Sequence, residues 1–175
     1  MKIGQSAPDF RGLLDVSGKR YSLSDFADKK IVVVIFSCNH CPTVVAYEDR
    51  MIQIQRDYAD KGVILVAINP NDERRYPQDS YQEMVKRSRA KGFNFPYLRD
   101  ETQEVARAYG AQRTPEVYVL DSERRLRYHG RIDDNVNDPG SVRSHDLRNA
   151  LDALLAGKEV PVPDTAAVGC TIKWK

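Results

Sequence analysis

An α/β fold built on a parallel βαβ unit is predicted by three features of the sequence. Ile31 to Phe36 is a continuous apolar run rich in β-branched residues, which reads as a strand buried on both faces. After Cys41 the apolar positions fall at Val44, Tyr47, Met51, Ile54 and Tyr58, and spacings of three and four give one buried helix face. Lys61-Gly62 stops that helix, and Val63 to Ile68 is a second apolar strand. Strand, helix and strand in so short a stretch lie side by side in a parallel sheet.

The remaining elements follow in order. Ala7-Pro8-Asp9-Phe10 is an extended entry. Leu13 to Val16, the turn Ser17-Gly18-Lys19 and Tyr21 to Leu23 make a hairpin. Ser24 or Asp25 caps a short turn around Phe26. Asn69-Pro70-Asn71-Asp72 leaves the carboxyl end of the second strand, the edge where open α/β sheets carry ligands. Asp79 or Ser80 caps a helical insert whose inward face is Tyr81, Met84, Val85 and Ser88, closed by Gly92. Phe95 to Leu98 reads as a short edge strand, and Thr102 to Tyr109 as a short helix stopped by Gly110. Thr114-Pro115 precedes a strand at Val117 to Leu120. Leu126, Tyr128, Gly130 and Ile132 alternate as its returning partner. After a polar loop, Asp133 to Ser144, the leucines at 147, 151, 154 and 155 mark a last helix, ended by Gly157. The expected organisation is one domain over residues 1–157 and an extended tail, 158–175, carrying Cys170.

Composition bounds the function. The 175 residues suffice for one domain with a substantial core. A formal charge of +2, from 27 basic and 25 acidic residues, gives no nucleic-acid footprint. Short basic clusters such as Arg74-Arg75 have acids beside them. No apolar run is long enough for a membrane-spanning helix, and the start lacks a signal-peptide core. A cytoplasmic setting is therefore expected, provided no leader has been trimmed. Three cysteines are too few for a disulfide scaffold.

The chemistry gathers at Cys38-Asn39-His40-Cys41-Pro42. Cys38 ends the first strand and Cys41 begins the helix, with Pro42 in the first turn, where a missing N–H costs nothing. Free N–H groups and the helix dipole favour an anion there. A thiol at that point is expected to ionise readily, and the thiolate is its reactive form. The Cys-x-x-Cys spacing also allows a small disulfide ring, so the pair reads as a reversible dithiol centre.

A βαβ half carrying the dithiol, a helical insert, then a β-hairpin and a final helix is the layout of a thioredoxin fold: three α/β/α layers on a mixed sheet. The chain resembles the thioredoxin superfamily, more narrowly the AhpC/TSA–TlpA group of peroxiredoxin-like thiol oxidoreductases. The resemblance rests on Ala7-Pro8-Asp9-Phe10, Ser22-Leu-Ser-Asp-Phe26, Cys38-x-x-Cys41, Thr114-Pro115 and the terminal Gly169-Cys-Thr-Ile-Lys-Trp-Lys175. It implies that Cys38 is the exposed attacking cysteine and Cys41 the resolving one. It also implies that Pro115 is a cis-proline facing them and presenting backbone to an extended substrate. The implied activity is thiol–disulfide exchange, with no cofactor beyond a redox-active Cys38–Cys41 disulfide. The implied partners are a disulfide-bearing protein or small thiol, and an electron donor such as a thioredoxin or glutathione system. The chain would be a monomer or weak dimer.

His40 departs from the glycine-proline spacer of thioredoxin and resembles that of a strongly oxidising relative. An imidazole near a thiolate lowers its pKa, which would set the potential above the about −270 mV of thioredoxin. No acid lies in the strand before the dithiol, so Glu116 and Glu48 are the candidate proton acceptors. Cys41-Pro42-Thr43 matches the peroxidatic context of peroxiredoxins, and Arg113 could polarise a peroxide. The upstream positions hold Val34 and Cys38 instead of that pattern's proline and threonine. An antioxidant peroxidase using Cys41 is thus one alternative. A copper or zinc site on Cys38, His40 and Cys41, completed by His129 or His145, is another. Cys170 is either a free thiol packed beside Trp174 or a second resolving cysteine, since the tail is long enough to reach the dithiol.

Overall fold

The structure, a computed structural model, covers all residues from Met1 to Lys175. Strands β1 (Leu13–Asp15) and β2 (Arg20–Tyr21) form the entry hairpin. They precede β3 (Ile31–Phe36), helix α1 (Pro42–Tyr58) and β4 (Val63–Asn69). Helix α2 (Tyr81–Lys91), β5 (Tyr97–Arg99) and α3 (Glu104–Tyr109) follow. Then come β6 (Arg113–Thr114), β7 (Glu116–Leu120), β8 (Leu126–Gly130), α4 (Asp146–Leu155) and β9 (Cys170–Thr171). The main sheet runs β2-β1-β5-β4-β3-β7-β8, and β6 pairs with β9 alone. Strands β3, β4 and β5 are parallel, and the flanking pairs are antiparallel.

The central strands are apolar on both sides because both sides are covered. Ile31, Val33 and Ile35 pack with Tyr47, Met51 and Ile54 of α1 and with Leu147 and Leu151 of α4. Val32, Val34 and Phe36 point the other way, to Val105, Ala106 and Tyr109 of α3 and to Phe10 and Phe26. The period-two alternation of each strand thus feeds two cores. Each fully buried large side chain contributes about 1.5–3 kcal/mol.

Two expectations change. The segment expected at a sheet edge is interior, because the entry hairpin pairs with it: Leu14 lies opposite Arg99 and Asp15 opposite Leu98. The short turn at Phe26 is capped by Ser22, whose N–H donates to Asp25 Oδ2 at 2.7 Å, rather than by Ser24 or Asp25. No helix is long and apolar enough to cross a membrane.

The tail is stitched along the body. Thr165 N–H donates to the His129 carbonyl and His129 N–H to that of Pro163, both at 2.9 Å. Gly130 allows this close approach, since a Cβ there would collide with Thr165. The chain then crosses to β6.

Candidate dithiol site beneath the C-terminal strand

Register builds the site. Strand β7 runs antiparallel to β3 with Glu116 opposite Phe36, so the start of β7 lies beside the end of β3. That brings Thr114 and Pro115, joined by a cis peptide bond, against the Cys38–Cys41 turn. Cys38 Sγ lies 3.5 Å from Thr114 Oγ1. Cys41 is the N-cap of α1, with Pro42 following as expected.

The disulfide joins Cys41 to Cys170, across 129 residues, with their Cα atoms 6.2 Å apart. The expected Cys38–Cys41 bond is absent, and Cys38 is the free thiol. Cys41 Sγ lies 3.5 Å from the Thr114 carbonyl; a disulfide sulfur carries no proton, so this is contact only. Of the two readings of Cys170, the free thiol is excluded: the tail reaches the dithiol, and Cys170 is bonded to Cys41.

Cys38, which the resemblance implied to be exposed, is 2% exposed in this disulfide-bonded form, as is Cys41. Burial and the negative charge of Asp79 push its pKa from 9.0 up to about 11. The Thr114 hydroxyl and the N–H groups of Cys41 and His40 oppose that shift without cancelling it. The helix N-terminus acts as expected, but desolvation under the tail is the larger effect.

Asp79 is the residue that sequence reasoning missed as chemistry. It is fully buried. Its Oδ1 accepts the Asn39 N–H at 2.8 Å and its Oδ2 accepts Asn71 Nδ2 at 2.9 Å. Nδ1 of His40 is 2.8 Å from Oδ2, too far out of line for a regular hydrogen bond. His40 also stacks on Tyr76. The histidine thus faces a carboxylate as well as the thiol. Asn39 is gripped in turn, its Oδ1 accepting from Tyr97 Oη at 2.7 Å and its Nδ2 donating to the Gln78 carbonyl at 2.8 Å. The loop after β4, flagged as a ligand edge, was the available signal.

The candidate bases are occupied elsewhere. Glu116 accepts from the Gln112 and Arg113 N–H groups at 2.9 Å, from Tyr118 Oη and from His129 Nε2. Burial alone would raise its pKa, but these donors hold it below the usual carboxylate range. It holds the loop before Pro115 through these N–H groups. Glu48 is engaged by Arg87. Arg113 donates Nη1 to the Gly169 carbonyl at 3.0 Å, holding the tail.

For a metal, Cys38, His40 and Asp79 offer donor atoms within 4.8 Å of one another. The expected set does not assemble. Cys41 is in a disulfide, His129 is bound between Glu116 and Asp164, and His145 lies at the start of α4 in a separate cleft with Arg50 and Arg148. The largest cleft, about 840 Å³, lies between the entry segment and α3 and contains no cysteine.

A thiol, a disulfide and a cis-proline in one corner of a mixed sheet belong to a known lineage, and residues 2–151 match the redoxin family. The chain belongs to the redoxin family. Among curated redoxin relatives, it is 23% identical over 154 residues to the thiol-disulfide oxidoreductase ResA of Geobacillus thermodenitrificans, covering 87% of this chain and 78% of that one. The crystal structure of an uncharacterised protein from Geobacillus kaustophilus is similar with a TM-score of 0.94 and 43% identity, over 99% of this chain and 93% of that one. A hypothetical protein from Sinorhizobium meliloti 1021 gives 0.92 and 40%, over 100% and 96%. The redoxin assignment and the α/β architecture agree with what the sequence resemblance implied.

Proposed function

We propose that this redoxin-family chain is a thiol–disulfide oxidoreductase in which Cys41 bears the partner's sulfur and Cys38 resolves the mixed disulfide. The observation that carries the reading is the bond from Cys41 to Cys170 beside Thr114, with the free thiol of Cys38 next to it. The ResA relative, named as a thiol-disulfide oxidoreductase, supports the reaction class. The roles are the reverse of those the resemblance implied.

The steps balance without a cofactor. In the closed form Cys41–Cys170 is oxidised and Cys38 is a thiol. Cys38 loses its proton and attacks Cys41 Sγ; the Cys38–Cys41 bond forms, Cys170 leaves as a thiolate and takes a proton. A dithiol of the thioredoxin class, or two molecules of a monothiol such as glutathione, then supplies two electrons and two protons to reduce Cys38–Cys41 and is left as a disulfide. The Cys41 thiolate attacks a disulfide-bearing protein, bonds to one sulfur and releases the other as a thiolate. Cys38 attacks Cys41 Sγ, expels the second sulfur and restores Cys38–Cys41. The net result is one partner disulfide reduced for one dithiol, or two monothiols, oxidised. A reducing cytoplasm would supply that donor, in keeping with the setting expected from the sequence.

The test is multiple-turnover reduction of a protein disulfide by the full chain with a dithiol donor. Loss of activity in Cys41→Ser, with the partner's sulfur trapped on Cys41 in Cys38→Ser protein that also carries Cys170→Ser, supports the reading; activity retained in Cys41→Ser, or the partner trapped on Cys38, refutes it. A peroxidase using Cys41 predicts instead a fast reaction of reduced protein with hydrogen peroxide that survives Cys38→Ser. Its Cys-Pro-Thr context favours that alternative, while the engagement of Arg113 by the tail weighs against it.

A further inference from the structure

Asp79 is fully buried, yet no lysine or arginine pairs with it. The one basic side chain at its carboxylate is His40, whose Nδ1 is 2.8 Å from Oδ2. That Nδ1 is itself buried and makes no regular hydrogen bond. Beside both lies the buried free thiol of Cys38. Cys38 Sγ, a ring nitrogen of His40 and an oxygen of Asp79 lie within 4.8 Å of one another. Buried charges persist where they are paired or coordinate a metal. A dication would partner all three groups at once, and with one thiolate and one carboxylate the site would be neutral.

The donor set selects the metal. Magnesium and calcium take oxygen ligands, and copper(I) prefers thiolate and thioether. Thiolate, imidazole and carboxylate together are zinc ligands. Tetrahedral bonds of about 2.0–2.3 Å place such donors about 3.3–3.6 Å apart, a closure of roughly 1 Å from the widest spacing here. The ligands are held from behind, as metal ligands need to be. Asp79 accepts the Asn39 N–H at 2.8 Å and Asn71 Nδ2 at 2.9 Å, and the His40 ring stacks on Tyr76. The tail closes one side: Cys170 packs on Cys38 and Cys41, and Gly169 lies so near Thr114 that a Cβ would collide with its carbonyl. The His40 side chain, 29% exposed, leaves the other side open to an entering ion.

We propose that Cys38, His40 and Asp79 form a zinc site in the disulfide-bonded form of the protein. The Cys38 proton passes to solvent, the thiolate bonds to Zn2+, and water fills the fourth position. No electron moves. The consequence rests on the oxidoreductase reading above: bound zinc withholds the Cys38 thiol from Cys41–Cys170, so the disulfide stays closed and exchange is braked while zinc is present.

The test titrates Co2+, a spectroscopic stand-in for zinc, into oxidised, chelator-washed full-length protein. Cys38 is the one free thiol there, so a thiolate-to-cobalt charge-transfer band can arise only from it. The band should saturate at one Co2+ per chain, be bleached by one equivalent of Zn2+, and be missing in Cys38→Ser. His40→Phe keeps a ring on Tyr76 and removes the nitrogen donor. It should weaken cobalt binding at least roughly tenfold, since loss of even an outer-shell partner costs that much. Asp79→Asn should do the same, with its fold checked by circular dichroism; if that buried substitution unfolds the chain, His40→Phe alone decides. No band in the native protein, or a smaller loss of affinity in His40→Phe, would overturn the site. No turnover is read, so either result leaves the oxidoreductase reading to its own disulfide-reduction assay.

Discussion

Oδ2 of Asp79 lies 2.8 Å from Nδ1 of His40, inside the turn that carries both cysteines of the Cys-x-x-Cys sequence. The carboxylate is fully buried and also holds the Asn39 N–H. Its negative charge is the second cause, after burial, of the raised Cys38 pKa. Asp79→Asn should therefore move Cys38 ionisation below the native value of about 11. The check is alkylation rate against pH in the oxidised protein, where Cys38 is the free thiol. An unshifted profile would remove Asp79 from the electrostatics of the site.

Cys38 also predicts a stability change at alkaline pH. Its pKa rises from 9.0 to about 11 on folding, so the folded state holds the proton more tightly. The contribution is full below pH 9 and is lost as pH rises through about 11. At most it amounts to about 3 kcal/mol. Denaturant unfolding of oxidised protein against Cys38→Ser isolates it: the difference should shrink across that window, and a constant difference would contradict it.

His129 ties the tail to β8, standing 2.6 Å from Glu116 Oε2 and 2.8 Å from Asp164 Oδ1. The Glu116 hydrogen bond is the largest cause of its raised pKa. Its contribution is present below the ordinary 6.5 and is lost as pH rises through the raised value. Glu116 is held below 4.5, so its share is lost as pH falls through that lowered value. Both are charged between pH 4.5 and 6.5. His129 is partly exposed, and solvent screening limits the effect to about 1 kcal/mol. His129→Asn should lower the melting temperature most near pH 5.5, inside that window, and progressively less as pH rises through the raised pKa of His129. A penalty independent of pH would contradict this.

Trp174 reports on the tail. The Arg107 guanidinium sits 4.4 Å over its ring, and Arg75 donates to its carbonyl. As the sole tryptophan, it should shift its emission to the red when Cys41–Cys170 is reduced or Gly169 is replaced by valine. Identical spectra in the oxidised and reduced protein would mean that the strand stays seated without its bond.

The β3–α1–β4 unit was legible because its signals are local: an unbroken apolar strand, a helical spacing, a proline start and a glycine stop. The interior place of β5 was not, since it depends on Leu14 meeting Arg99 across 85 residues of sequence. Asp79 was hidden by its position, where an acid before a helix reads as a cap; the actual cap is Ser80, which accepts the Glu83 N–H. The Cys41–Cys170 pairing was hidden by separation, because three cysteines permit three pairings and spacing favours the nearest. Gly169 was the clue available, a residue without a side chain directly before a cysteine.

The central claim is that Cys41, not Cys38, carries the partner's sulfur. The most direct measurement reacts reduced Cys38→Ser and Cys41→Ser proteins, each also carrying Cys170→Ser so that the tail thiol cannot expel the adduct, with oxidised glutathione and maps the trapped adduct by mass spectrometry. The account predicts a stable mixed disulfide on Cys41 in Cys38→Ser and little adduct on Cys38 in Cys41→Ser. A stable adduct on Cys38, with none on Cys41, would contradict it and restore the roles that the sequence resemblance implied.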